Sequence, residues 1–226
     1  MKRFMNTKIL FIRVLLTAAI LFGATHAPAT LIINQSSGPG ASNLVIPDGS
    51  SVGITSAINI SGSGNILGSG DNVSVTLNLA GGNNGDLIAY LYHDNTTVTL
   101  LNRPGLTIGN PLGYSDPGFI NVILADSSVA NSVDAYGGGA VPNGVSFTPS
   151  GGNTAFQAFN GQTVDGDWTI FFADLSGGDG SNVSELTGWS LELTTVPEPI
   201  TLALAIFVGG WLMIGAGRWW RRRRAA

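Results

Sequence analysis

The segment Val73-Ser-Val-Thr-Leu-Asn-Leu79 places an apolar residue at every odd position and a polar residue at every even one. Successive side chains of a strand point to opposite faces, so this period of two prescribes a strand with one buried face. It excludes a helix, whose apolar stripe recurs every three or four residues. Other runs repeat the pattern. Val52, Ile54, Ile58 and Ile60 keep one phase around Ser56, and Trp189, Leu191 and Leu193 oppose Ser190 and Glu192. Leu87 to Tyr92, Phe119 to Ala125 and Trp168 to Ala173 are apolar on both faces, as central strands are. Turn-forming residues divide the runs at 81–85, 102–105 and 177–180. Between Thr30 and Thr195 no amphipathic helix is expected. Roughly eight short strands at this spacing predict an all-β fold, a sandwich or a barrel.

The two ends follow a different logic. Lys2, Arg3, Lys8 and Arg13 precede the apolar run Val14 to Gly23, and small residues follow to Ala29. That order is the layout of a secretory signal peptide. Cleavage after Ala29 sets Ala27 and Ala29 in the small-residue positions, so residues 1–29 are assigned to the signal. An uncleaved N-terminal anchor is the alternative. At the other end Ile200 to Ala216 is free of charge for 17 residues, about 26 Å as a helix and close to the span of a bilayer core. Trp219 and Trp220 suit the interface. Arg218, Arg221, Arg222, Arg223 and Arg224 suit its cytoplasmic side.

Between these ends lies a domain at residues 30–195 that holds thirteen carboxylates and one cation, Arg103, for a formal charge of −12. Such a surface repels nucleic acid and anionic lipid and attracts divalent cations. The chain contains no cysteine, which excludes disulfides, thiolate nucleophiles and Cys-based metal sites.

Immediately before the apolar C-terminal run stands Val196-Pro197-Glu198-Pro199. Its two prolines keep the segment out of helices and sheet ladders, so it stays extended and accessible. The box, the helix and the arginines together (residues 196–226) resemble the PEP-CTERM sorting domain. The resemblance implies recognition by a membrane-embedded exosortase and cleavage near the box. It also implies membrane anchorage through the helix before processing, and a place at the cell surface of an exopolysaccharide-producing bacterium or outside it afterwards.

From about Val73 onward the domain resembles the P domain (P/Homo B) that follows the catalytic domain of subtilisin-like proprotein convertases. The matching stretches are Gly85 to Leu91, Val98 to Gly105, Phe159-Asn160-Gly161-Gln162, Gly166 to Ile170, Ala173-Asp174 and Leu186 to Leu193. The resemblance implies a jelly-roll β-sandwich that serves as an accessory, non-catalytic module. The stretch from Asn110 to Phe147 departs from the family pattern, which leaves its strand pairing open.

No catalytic residue is assigned. His93 is the domain's single histidine, set beside Asp94 and Asn95 in an expected turn, and it is read as a solvated turn residue. No Gly-x-Ser-x-Gly elbow accompanies it. A glycosidase pair would have to draw on Glu185 or Glu192, and Glu192 reads as an outward strand residue. No cofactor is required, but calcium takes oxygen ligands of the kind that acidic extracellular loops supply. Asp86 and Asp174, at strand ends, are its candidate ligands, with Asp165, Asp167 and Asp179 as similar ones. The Gly177-Gly-Asp-Gly180 run resembles one copy of a calcium-binding nonapeptide repeat. The alternative is that each Asp simply makes a turn through its own side chain.

The expected role is therefore that of an exported, non-catalytic structural or interaction protein of the extracellular matrix, with an exosortase as processing partner. A carbohydrate-binding module for exopolysaccharide is the alternative, with Tyr90, Tyr92, Tyr114 and Tyr136 as candidate stacking residues. Several of those rings exposed on one sheet face would distinguish it. A hydrolase is the third reading.

Overall fold

The Val73–Leu79 alternation becomes the centre of a sheet. In the computed structural model, which describes residues 31–36, 43–126 and 131–195, β4 (Asn72–Ala80) buries Val73, Val75, Leu77 and Leu79 and turns Ser74, Thr76 and Asn78 outward. Its neighbours are β10 (Glu185–Thr195) and β7 (Phe119–Ala125), both antiparallel to it. β1 (Leu31–Ser36) and the two-residue β2 (Leu44–Val45) pair with the other edge of β10. The short β8 (Ser146–Phe147) runs parallel to β7 and closes the opposite edge.

A second, fully antiparallel sheet has the order β3-β9-β5-β6, from β3 (Ser50–Ile60), β9 (Gly166–Asp174), β5 (Leu87–His93) and β6 (Thr96–Asn102). The two sheets share one core. Trp189, Leu191, Val122 and Leu124 from the first meet Trp168, Ile170, Phe172, Leu91 and Leu100 from the second. The Trp189 indole Nε1 donates to Ser56 Oγ across the sandwich at 2.9 Å, so each buried polar group satisfies the other. Helical structure among the described residues is limited to three short 3-10 turns. The described residues form an all-β sandwich of ten strands, two of them only two residues long.

Two expectations from the sequence need correction. Val52 does not share the inward phase of Ile58 and Ile60; it is 81% exposed. A bulge between Ser50 and Ile54 shifts the register, and Gly53 at φ +60 absorbs it. A Cβ there would lie 2.1 Å from the Phe172 carbonyl oxygen, so only glycine fits. His93, in turn, is not solvated. It is the last residue of β5 and 1% exposed, because the inward phase of Leu87, Ala89 and Leu91 continues to it. Asp94 and Asn95 alone make the turn.

Several expectations fall outside the described residues. They are the signal peptide with its cleavage point at Ala29, the sorting box Val196, Pro197, Glu198 and Pro199, and the apolar run to Ala216. The tail arginines Arg218, Arg221, Arg222, Arg223 and Arg224 also lie outside them. No helix among the described residues is long and apolar enough to cross a membrane.

The packing predicts a contrast within sheet one. Leu77→Ala should cost about 2–5 kcal/mol in urea unfolding, as a truncated core leucine does. Glu192→Ala, on the exposed face of β10, should change stability by less than about 0.5 kcal/mol.

Candidate cation site

Asp174 ends β9, the strand between β3 and β5. In register it faces Ser50 at the start of β3 on one side and Leu87 at the start of β5 on the other. Three further carboxylates arrive at this end of the sheet because their segments begin or end there. Asp48 sits in the turn that enters β3. Asp86 closes the 3-10 turn Asn84–Asp86 that enters β5. Asp179 lies in the glycine-rich connection from β9 to β10.

The connection folds back on the first turn. Gly49, at φ +63, approaches so closely that a Cβ on it would lie 3.1 Å from the Gly177 Cα. Gly178 N donates to Asp48 Oδ2 at 3.1 Å, and Leu175 N donates to the Asp86 carbonyl at 2.9 Å.

One carboxylate oxygen from each of Asp48, Asp174 and Asp179 lies within 4.8 Å of the others. Asn83 Nδ2 bridges Asp86 and Asp179, donating to Asp86 Oδ2 at 3.3 Å and to Asp179 Oδ1. The Asp174 carboxylate is fully buried and accepts from Ser184 Oγ at 3.0 Å and Ser176 N at 3.3 Å. Asp86 is 5% exposed, and its Oδ1 has no hydrogen-bond donor; Arg103 Nη2 stands 3.8 Å away. Asp179 Oδ2 is likewise buried without a donor.

Three carboxylates thus share one small volume, with Asp86 joined to them through Asn83 and a single arginine beside it. Burial, abetted by Asp179 and Asp86, raises the Asp174 carboxyl to about 6 despite its two hydrogen bonds. Burial also lifts Asp86, with Asn83 and Arg103 pulling the other way. Asp179 rises through burial and through the charges of Asp48 and Asp86. Oxygen ligands from several loops, two of them lacking donors, are what a calcium ion accepts; a magnesium ion demands stricter octahedral geometry.

The structure brings together Asp86, Asp174 and Asp179 of the residues singled out in the sequence. Asp165 and Asp167 do not join them. Asp165 Oδ1 and Oδ2 accept from the backbone N–H groups of Ser63 and Gly64, which holds its carboxyl below the ordinary range. Asp167, at the opposite end of β9 from Asp174, accepts from Asn59 Nδ2 at 2.6 Å. Asp48 and Asn83 were missed. The signal for Asp48 was the Pro47-Asp48-Gly49 turn directly before an alternating run.

The remaining candidates are dispersed. His93 stacks on Trp168, with ring centroids 3.8 Å apart, and its nitrogens face the Thr163 and Asp167 carbonyls at 2.6 and 3.1 Å. Tyr114 and Tyr136 pack on each other at 4.4 Å, away from Tyr90 and Tyr92. Tyr136 OH donates to Asp116 Oδ2 at 2.9 Å, and burial raises its hydroxyl far above the ordinary value. Asn84, fully buried, exchanges hydrogen bonds with Gly118 through both its amide oxygen and nitrogen. This polar network fixes Asp116, Gly118 and Tyr136 behind the Asn83–Asp86 turn.

No protein-family model matches the chain, and no curated protein matches it. Among solved structures it is similar to a chain in the crystal structure of an Aeromonas sobria serine protease and its chaperone, ORF2. The identity is 17% and the TM-score 0.43, over 80% of this chain and 29% of that one. The chain therefore spans less than a third of the length of the chain it matches.

The acidic cluster makes a pH prediction. An acid whose folded pKa is raised binds its proton more tightly when folded, so its contribution to stability is greatest at low pH. That contribution falls as pH rises from the ordinary 3.8 to about 6, then levels off. With chelator present, calorimetry should show Tm declining through this window, with a shallower slope in Asp174→Asn. An unchanged slope in that variant would contradict the assignment.

Proposed function

We propose that this chain is an exported, non-catalytic β-sandwich whose loop end is held together by a calcium ion. The observation that carries the cation reading is the meeting of Asp48, Asp174 and Asp179 within 4.8 Å, against a buried Asp86 oxygen that lacks a donor. Asp48, Asp174 and Asp179 are the direct ligands in this reading. Asp86 is an outer partner balanced between the ion and Arg103. The ion would cross-link the turn before β3, the end of β9 and the β9–β10 connection.

The cellular role is read from the ends of the chain. The basic-apolar-small order of residues 1–29 supports export, and the Val196–Pro199 box, apolar run and arginines support sorting by an exosortase. The likeness of residues 73–194 to a P domain supports a jelly-roll accessory module, acting as a structural or interaction protein at the cell surface or in the matrix.

Calcium at a hundred times its Kd should stabilise the full chain by about 2.7 kcal/mol, a shift of several degrees in Tm for a domain of this size. Asp174→Asn and Asp48→Asn should each abolish most of the shift. A calcium-independent Tm in the wild type would exclude the site.

Intact mass of the protein recovered from its host checks the export reading separately. The expected product lacks about 29 N-terminal residues and everything beyond the box, and keeps its C-terminus when the exosortase is deleted. A mature chain that retains residues 200–226 in both strains would contradict sorting.

A further inference from the structure

The outer faces of the two sheets are chemically unlike. Along β4 and β10 the first sheet shows the ordinary solvated set, with Ser74, Thr76, Asn78, Ser190 and Glu192. The outer face of the second sheet instead carries rings. On β5 the inward residues Leu87, Ala89 and Leu91 alternate with Ile88, Tyr90 and Tyr92, which point out. The strand register then builds two rows across the face. One runs Thr55, Phe171, Tyr90, Thr99, and the next runs Ala57, Thr169, Tyr92, Thr97.

Phe171 and Tyr90 are stacked, with centroids 6.1 Å apart and planes inclined by 22°. Tyr92 lies 6.2 Å from Tyr90, tilted by 57°, and is 37% exposed. Six of the eight row positions carry a hydroxyl and none carries a charge. In a domain with thirteen carboxylates this is a neutral, amphipathic surface.

Its chemistry selects an occupant. Threonines flank the rings on both sides, so the face lacks the large continuous apolar patch that marks a docking site for another protein. A polyanion would meet the field of a domain with a formal charge of −12. A polycation would be drawn to the carboxylate-bearing loops, or to Asp167 at the far end of β9, rather than to these two uncharged rows. A pyranose matches the rows directly: its C–H face stacks on an aromatic ring, and its equatorial hydroxyls exchange hydrogen bonds with threonine and tyrosine.

We propose that the Phe171–Tyr90–Tyr92 surface, with its flanking threonines, binds an uncharged polysaccharide chain lying across β9 and β5. This site stands apart from the cation reading: its residues ligate nothing in the acidic cluster.

The test is affinity gel electrophoresis of the full chain in a zwitterionic, sugar-free detergent with calcium throughout. The gels contain hydroxyethyl cellulose, xylan, galactomannan or dextran as neutral polymers, and alginate as the anionic one. Retardation by at least one neutral polymer and none by alginate is expected. Tyr90→Ala and Tyr92→Ala should each weaken it about tenfold or more, the effect of losing roughly 1.4 kcal/mol. Tyr92→Trp should retain binding, and Glu192→Ala on the other sheet should leave it unchanged. Near-UV circular dichroism reports folding, and exposed Tyr92 serves if Tyr90→Ala fails to fold. Mobility unaffected by all four neutral polymers would overturn the proposal, as would retardation equal in wild type and folded variants, or retardation by alginate alone. A dimer in analytical ultracentrifugation that Tyr92→Ala abolishes, without glycan retardation, would overturn it by assigning the face to a second copy of the chain.

Discussion

Repulsion among Asp48, Asp86, Asp174 and Asp179 is the constraint around which one end of this molecule is arranged. Two carboxylates 4.8 Å apart repel by roughly 3 kcal/mol at an effective dielectric near 20, and by less where Asp48 meets solvent. The core fixes two of them in place. Asp174 is fixed by β9, whose Trp168, Ile170 and Phe172 are fully buried between the sheets. Asp86 is fixed one residue ahead of Leu87, which begins β5 and is also fully buried. The apolar interior thus holds these two acidic groups close together at the end of the sheet that Asp48 and Asp179 also reach. Arg103 reaches only Asp86, at 3.8 Å, so it answers a fraction of the charge. In the proposed reading a divalent ion would answer the rest and tie down the β9–β10 connection at the same time.

The polar groups behind the cluster make the same end rigid. Adjacent residues of one turn serve two networks: Asn83 bridges Asp86 and Asp179, while Asn84 engages Gly118 and Tyr136. Through Asn84 both Gly118 and Tyr136 are anchored to the entry of β5. If the cluster holds an ion as proposed, removing it would load a turn that also organises the opposite side. The aromatic face of the second sheet, by contrast, rests on strand register alone, which the shared core fixes.

The architecture was legible where burial acts on one face at a time. Val73 to Leu79 and Trp189 to Leu193 fold as their alternation dictates, since their polar faces meet solvent and their apolar faces meet the other sheet. Legibility failed where a single residue changes the phase. Gly53 shifts β3 by a bulge and turns Val52 outward, a geometric event that hydropathy does not record. His93 was misread because its neighbours Asp94 and Asn95 are turn formers. The phase of β5 outweighed them, and stacking on Trp168 made a polar ring acceptable inside. At the acidic site, Asp86, Asp174 and Asp179 stood out as strand-end and loop carboxylates, but so did Asp165 and Asp167. What separates them is which end of β9 each one occupies, and that follows from pairing between segments more than a hundred residues apart. Asp48 depended on the same long-range pairing. Tyr90 and Tyr92 were visible as residues, but the partnership with Phe171 was not.

The central claim is that Asp48, Asp174 and Asp179 converge on one ion, and anomalous diffraction tests it most directly. Crystals of the protein soaked in terbium, an oxygen-seeking stand-in for calcium, should show a dominant anomalous peak bounded by Asp48, Asp174 and Asp179. Its carboxylate contacts should be close to the 2.3–2.6 Å typical of calcium. A dominant peak at other carboxylates, with the three side chains unmoved and metal-free, would contradict the account.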